Sequence, residues 1–565
     1  MSLPAIYNVA QVQKVKSYET LPFHPHDTAF IESHSSILPD DYQEALRREY
    51  TDRYQALGKH LGERRRNANL FLLDLSEQAQ KRIFTLSDDA LKRKAERMSL
   101  LCRRLVRDTK NPQRALQAVL AVYQQQGFTP KLLQARHDEK GLLARLSDAI
   151  WWFRQLLRYQ DKAQERFAIQ LGEVRRGRGL YLSTNMFKTI QIRIQNSIKA
   201  LSKLEAVNET TGETVDMLKV LKGSLANPEV RRAELMVRMR GFEEAANQAG
   251  HVGVFYTLTC PSKFHRFTTG ADKSLVPNPN YGNYTPKEAQ TYLTSLWARI
   301  RSQMKHHGLT MYGFRIAEPH HDGCPHWHLL LFLQPEQQTE VTELFRHYAL
   351  LEDGDEKGAA EYRFKAVTID ASKGSATGYI AKYVSKNING FAIEGDFEAD
   401  AETKVSESAK RVCAWASLWG IRQFQQIGGA PVGVWRELRR LAADAVPENE
   451  VIEQARMAAD ASNWCDYLQS QGGVMALRKD QPLRVYTVER VSTETGEVIT
   501  NRYGELVDKT EGLSLLGTPA VKTRVHTWRI QEKKDSKQPE REESLISKAL
   551  ALPWSPVNNC TGGNS

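Results

Sequence analysis

Nine residues, Pro325 to Leu333, form an apolar run broken only by two histidines, and a run of that length reads as a strand buried in a sheet. Side chains two apart on a strand point to the same face. His326 and His328 therefore converge where a core would ordinarily carry Leu or Val, which outlines a metal site. Some fifty residues later, Tyr379-Ile380-Ala381-Lys382-Tyr383 sets two tyrosines four apart on a helical pattern, side by side on one face.

The pattern around these two stretches predicts the fold class. Val254 to Thr259 is a β-branched and aromatic strand, followed by a Gly-, Pro- and Asn-rich loop from Pro261 to Tyr284. Thr285-Pro286 opens a helix with a capping residue and a first-turn proline, running to about His307. A strand from Thr310 to Glu318, the strand His326 to Leu333, a helix from Pro335 to Leu350, a strand from Tyr362 to Ile369 and the tyrosine helix from Ser375 to Lys386 follow. The order β-α-β-β-α-β-α implies an α+β fold, a central antiparallel sheet with flanking helices and a ferredoxin-like relative.

At 565 residues the chain is too long for one core. The expected parts are a polar segment over 1–86, a basic, largely helical N-terminal region over 87–250, the α+β unit over 251–395, a helical extension over 396–475, and a hairpin with a disordered tail over 476–565. Apolar spacing such as Leu142, Leu146, Ile150, Phe153 and Leu157 carries the helical reading of 87–249. Arg103-Arg104, Arg175-Arg176, Arg193, Lys199 and Arg231-Arg232 are ordinary solvated faces or a DNA-tracking surface, and the pattern does not choose. Glu394 to Glu402 should loop out, Leu483 to Tyr503 reads as a hairpin about Thr495-Gly496, and Gln531 to Ser544 lacks apolar anchors.

A formal charge of +11 and a pI near 9.1 favour acidic partners, of which nucleic acid is the commonest. The six cysteines show no C-x-x-C spacing, which argues against a zinc ribbon, a redox pair or a disulfide scaffold. No apolar run approaches the roughly 18 residues needed to cross a bilayer. The expectation is a protein of a reducing cytoplasm with no membrane partner.

If the strands flanking the Pro319–Pro325 loop pair as a hairpin, Glu318 comes opposite His326, and opposed residues share a face. Glu318, His326 and His328 then make a three-ligand site with open positions, suited to Mg²⁺ or Mn²⁺, although two imidazoles would also accept zinc. His320 and His321 flank it as substitute ligands, phosphate contacts or bystanders. On the tyrosine helix, Tyr379, Lys382, Tyr383 and Lys386 share one stripe, while Ala376, Ile380, Val384 and Ile388 supply a separate core stripe. The two phenols need not be packing residues, and Lys382 and Lys386 beside them suit a phosphate. A phenol with a reference pKa of about 10 attacks poorly unless a cation polarises the phosphorus. Metal plus paired tyrosines points to covalent nucleic-acid chemistry.

These residues resemble those of the HUH endonucleases, which pair a His-hydrophobic-His metal motif with one or two catalytic tyrosines. Phe255-Tyr256-Thr257-Leu258-Thr259, Pro325-His326-Trp327-His328 and Tyr379 to Lys386 resemble the three motifs, and Glu318 the acidic ligand. Trp415 to Phe424 and Trp435-Arg436-Glu437-Leu438 resemble the bacteriophage replication gene A proteins. The resemblance implies rolling-circle initiation: one tyrosine nicks single-stranded DNA at the replication origin, keeps the 5′ end as a phosphotyrosine and leaves a 3′ hydroxyl, and the second allows later rejoining. With no G-x-x-x-x-G-K-[ST] loop in the chain, it also implies a separate host helicase and DNA polymerase, in the bacterial host cytoplasm. Core packing accounts for Trp415, Trp419 and Trp435 better than base stacking does. A relaxase, a single-strand transposase or a non-catalytic DNA-binding protein with a structural metal are the rival expectations.

Overall fold

The computed structural model describes residues 25–36, 38, 40–56, 60–80, 84–269, 275–370, 372, 374–388, 405–445, 448–491 and 498–533. The chain divides into two compact units, Met1–Arg178 with Thr500–Glu505, and Gly179–Ile499 with Leu506–Ser565. It is an α+β protein, with long helices and several antiparallel sheets.

The first unit is helical among its described residues. Long helices at Asp40–Ala56, Leu61–Gln80, Asp88–Asp108, Pro112–Gln125 and Ala149–Gln170 bury two apolar clusters, one around Leu46, Tyr50, Leu72 and Phe167, the other around Leu91, Val119, Trp152 and Leu156. Thr500–Glu505 joins it through polar contacts. Arg145 donates to both carboxylate oxygens of Glu505 at 2.6 and 2.7 Å and lies over the Tyr503 ring, whose hydroxyl donates to Asp148 at 2.9 Å. Among the described residues no helix is long and apolar enough to cross a membrane.

The second unit is built on a five-stranded sheet. Its parts, in chain order, are helix α1 (Pro228–Ala249), strand β1 (Val252–Thr259), helix α2 (Pro286–His306), strands β2 (Tyr312–Pro319) and β3 (Pro325–Leu333), helix α3 (Gln338–Leu350), strand β4 (Phe364–Thr368), helices α4 (Ala376–Ile388) and α5 (Val405–Trp419), strand β5 (Phe424–Ile427) and helices α6 (Val432–Leu438), α7 (Glu450–Asp460) and α8 (Trp464–Ser470). The strands lie in the order β4-β1-β3-β2-β5, every neighbour antiparallel. Helix α2 begins as the sequence predicts: Thr285 caps the Glu288 amide, and the Glu288 carboxylate returns the bond to the Thr285 amide.

Strand alternation sorts the sheet into two faces. Phe255, Phe314, Ile316, Leu330 and Phe332 point to one, where Met239 and Phe242 of α1, Ile380 and Val384 of α4, and Trp435, Trp464 and Tyr467 of α6 and α8 complete an extended core. Tyr256 points to the other, where it stacks on Phe345 of α3, and Trp327 there donates to Gln290 of α2 at 3.0 Å. Gly241 allows the close crossing of α1 and α8, since a Cβ there would lie 2.4 Å from the Trp464 Cβ. Trp415, Trp419 and Trp435 are buried, so they pack and do not stack bases.

The structure corrects several expectations. The helical run to residue 249 is interrupted by the antiparallel pair Leu204–Asn208 and Thr214–Asp216, turned by Asn208, whose side chain accepts from the Thr210 and Thr211 amides, and by Gly212 at φ +71°. Its third strand is Trp528–Glu532, so Gln531 and Glu532 are paired residues and not part of a tail. Leu483–Glu489 pairs mainly with Asp508–Leu515, because Leu483 and Val485 find apolar partners in Leu515 and Leu513. A Val491–Val498 bridge is the local remnant of the expected hairpin, whose turn at Thr495-Gly496 lies outside the described residues. So do Glu394 to Glu402 and the rest of the expected tail. Strand β5 was not expected, and Arg231 is neither solvated nor surface-tracking but 3% exposed.

Candidate active site

Three side chains meet on the α1/α4 face at the end of the sheet. Glu318 stands directly opposite His326 in the β2–β3 ladder, and His328 shares that face one pair further on, opposite Ile316. The Nε2 atoms of the two imidazoles are 2.9 Å apart, and Glu318 Oε2 lies 3.9 Å from His326 Nε2 and 3.7 Å from His328 Nε2. A triangle with those sides has its centre about 2.1 Å from each corner. That is the bond length of Mg²⁺ to oxygen, or of zinc to imidazole nitrogen. Among the described residues this is the one group of three His, Cys, Asp or Glu side chains close enough to hold a metal ion. One carboxylate and two imidazoles supply three donors and leave the remaining positions to water or substrate.

The imidazoles are presented as neutral donors. Burial lowers His326 well below the usual histidine range, helped by the neighbouring His320 and His328 rings and by Lys386. Burial also lowers His328, outweighing the opposing pull of Glu318. Thr257, opposite His328 on β1, lies 3.1 Å from His328 Nδ1 and fixes the ring so that Nε2 faces the cluster. His320 is not among the three donors. Its ring packs at a tilt against His326 with centroids 4.1 Å apart, and burial lowers its pKa to about 3. Behind it His265 bonds Asp322 at 3.0 Å; burial pushes that carboxyl up, but the His265 partner prevails and holds it at about 2. His321 lies beside Tyr181, ring centroids 6.2 Å apart.

Helix α4 brings the tyrosines to this cluster. Its first turn is tied to α1, where the Glu243 carboxylate accepts from the Ala376 and Thr377 amides at 2.6 and 3.0 Å. Ala376, Ile380, Val384 and Ile388 are buried, as their spacing predicts. The phenols are not free of packing duty, however. Tyr379 and Tyr383 are half-buried, with ring centroids 4.7 and 5.2 Å from that of Phe255, and the Tyr383 ring is 4.4 Å from that of His328. Burial, then the Tyr379 phenol and the Glu318 carboxylate, raise the Tyr383 pKa well above its ordinary value, so that phenol holds its proton at neutral pH. Lys382 is exposed, its Nζ 5.7 Å from the Tyr379 ring centre. Lys386 turns inward, 3.6 Å from Glu318 Oε2; burial opposes its charge, but Glu318 prevails and its pKa is raised.

The family model of the bacteriophage replication gene A protein matches residues 88–391, more than half of the chain and all of the residues just described. The chain belongs to that family. The replication gene A protein of Escherichia phage P2 is 39% identical over 437 residues, 75% of this chain and 56% of the P2 protein. The probable replication protein P12 of Pseudoalteromonas phage PM2 is 37% identical over 442 residues, 78% of this chain and 64% of that protein. A probable replication endonuclease from a prophage-like region of Salmonella typhi is 34% identical over 435 residues, 74% of this chain and 52% of that protein. The chain thus spans about half to two thirds of the length of these relatives. No solved structure matches it.

In this gene A family chain, sequence reasoning missed Asn387, and it names Phe255 and Thr257 only as members of a motif strand, without the contacts they make. Thr257 follows from the β1–β3 register, which opposes it to His328. Asn387 lies one helical turn beyond Tyr383, a spacing that was available in the sequence. The buried imidazoles also set an expected pH dependence. Each has a folded pKa below the unfolded value of about 6.5, so the unfolded state takes up protons first as pH falls. Stability is full above about pH 6.5 and is lost as pH falls toward the lowered pKa values, by up to roughly 1.4 kcal/mol per pH unit for each such ring. Urea denaturation of metal-free protein at pH 7, 6 and 5 checks this, and His320→Gln should flatten the slope; an unaltered slope would count against a buried neutral His320.

Proposed function

We propose that this chain is a strand-specific, single-stranded DNA endonuclease of the HUH type that initiates rolling-circle replication of a phage genome. The observation that carries the reading is the Glu318–His326–His328 cluster with the Tyr383 ring packed against His328 at 4.4 Å. The strand order, with the four strands β4-β1-β3-β2 all antiparallel, supports a ferredoxin-like nuclease core. The relatives named replication gene A protein and replication endonuclease support the biological setting.

Glu318, His326 and His328 would hold a divalent ion, Mg²⁺ or Mn²⁺, which when bound supplies polarisation of the scissile phosphate. Tyr379 or Tyr383 attacks the phosphorus. A bond forms between phenol oxygen and phosphorus, the bond from phosphorus to the 3′ oxygen breaks, and the phenolic proton is balanced by protonation of that oxygen. The products are a 5′-phosphotyrosine and a free 3′ hydroxyl. One phosphodiester replaces another, so rejoining needs no nucleotide. With its neighbour already linked, the second tyrosine can cut the regenerated junction, and the released 3′ hydroxyl attacks the first linkage to close a circle. Helical spacing keeps the two phenols, ring centroids 6.3 Å apart, within one phosphate pocket. Host helicase and polymerase would supply strand separation and synthesis, in the bacterial cytoplasm.

The reading is tested by incubating the protein with Mn²⁺ and end-labelled single-stranded DNA tiled across its own replicon, followed by a denaturing gel and mass spectrometry of the linked peptide. An adduct on Tyr379 or Tyr383 is the expected result; binding without any adduct would leave a DNA-binding protein with a structural metal. Lys382 and Lys386 are the proposed phosphate contacts on the helix, and their surroundings separate them. Lys382→Ala should weaken DNA binding severalfold at low salt and lower the slope of log affinity against log salt by about 0.7, the share of one single-strand phosphate contact. A slope that does not change would remove Lys382 from the interface. Lys386 faces Glu318, so its substitution should disturb the metal cluster as well.

A further inference from the structure

We infer that Asn387 is a positioning residue that fixes which oxygen of Glu318 is offered to the metal and couples that choice to the tyrosine helix. The inference rests on the proposed metal site and deepens it. Asn387 is 1% exposed, and its side-chain amide nitrogen donates twice: to Glu318 Oε1, and to the backbone carbonyl of Tyr383 at 2.6 Å. Both partners can only accept, so the amide has one workable orientation; flipped, it would set oxygen against oxygen. That orientation is kept although Asn387 Oδ1 lies buried without a hydrogen-bond partner.

The two Glu318 oxygens are thereby divided. Oε1 belongs to Asn387, and Oε2 is the atom facing His326, His328 and Lys386 at 3.9, 3.7 and 3.6 Å. Glu318 therefore acts as a one-oxygen ligand through Oε2. Because the same nitrogen bonds the Tyr383 carbonyl, the carboxylate and the turn of α4 that carries a nucleophile are tied to one atom. Asn387 touches neither metal nor substrate. It works through Glu318, as outer partners of metal-bound carboxylates do, where loss costs tenfold to a hundredfold in metal affinity.

The test is calorimetric titration of the full chain with Mn²⁺ alone, for the wild type, Asn387→Leu, Asn387→Ser and His326→Ala, with circular-dichroism melting of each. Leu matches Asn in size but donates nothing, and Ser is polar but too short to span both acceptors; either suffices if the other does not fold. The expected result is one wild-type site, binding weakened tenfold to a hundredfold in the Asn387 variants, and DNA cleavage by those variants that recovers as Mn²⁺ is raised. Wild-type-like Mn²⁺ affinity in a folded Asn387 variant, or a cleavage defect that extra Mn²⁺ does not relieve, would overturn the role of Asn387 while leaving the metal site standing. Absence of Mn²⁺ binding by the wild type, or binding that survives His326→Ala, would overturn the metal site itself and Asn387's role with it.

Discussion

On the proposed reading, replacing both Tyr379 and Tyr383 by phenylalanine is expected to abolish the covalent DNA adduct, by roughly three orders of magnitude or more, because the double variant has no nucleophile left at the cluster. The fold should survive. The rings remain to pack on Phe255 and, for residue 383, on His328, and only two hydroxyls are lost. Removing a partly buried hydroxyl costs about 1 kcal/mol. Each single variant should still nick once and form one adduct, but fail in repeated rounds of nicking and circle release, which need both phenols in turn. The measurement is the yield of adduct and of closed circles on a denaturing gel across the four proteins. Full multi-round release by either single variant would argue against alternation, and an adduct in the double variant would remove both tyrosines from the chemistry.

Loss of either imidazole should be nearly as severe. His326→Ala or His328→Ala leaves two donors out of three, and metal affinity should fall by more than about a hundredfold, beyond the loss from an outer partner. Cleavage falls with it, whereas single-stranded DNA binding, which the proposed reading assigns to cationic side chains such as Lys382, should remain largely intact. The two variants are expected to differ in stability. His328 also bonds Thr257 and packs on Phe255 and Tyr383, so its removal should cost about 1 to 3 kcal/mol. His326 has no partner on its buried Nδ1, and its loss should cost less. Metal titration and parallel gel assays of cleavage and binding decide it; a His326→Ala protein that cleaves at the wild-type rate would dismiss the assigned donor.

Much of the donor set was legible because strand geometry leaves little freedom. Two residues apart on a buried strand must share a face, and once the strands flanking the Pro319–Pro325 loop pair as a hairpin Glu318 comes opposite His326, so the three candidate donors follow from spacing and one assumed pairing. Helix α2 was equally plain, since Thr285, Pro286 and Glu288 carry its start signal locally. What escaped was information held between distant segments. Strand β5 reads Phe-Gln-Gln-Ile and becomes a strand only because the edge of β2 pairs with it. Leu483–Glu489 takes its partner from Asp508–Leu515, past a nearer candidate, on cross-strand apolar fit that no local pattern encodes. Asn387 carries no local signal of its role, and only the fold shows it turned inward onto Glu318. The core stripe of α4 is complete without the tyrosines, so the pattern does not require them to pack; Phe255, from another element, draws them in.

Glu243 has a bearing on how an anion must approach α4. A helix start is normally a ready cradle for phosphate, but here a carboxylate from the neighbouring helix already occupies the first free amides. Those amides are not open to a second anion. On the proposed reading, the scissile group has to come in broadside, across the middle of the helix, and be gripped there by side chains and a cation, with no help from main-chain dipoles.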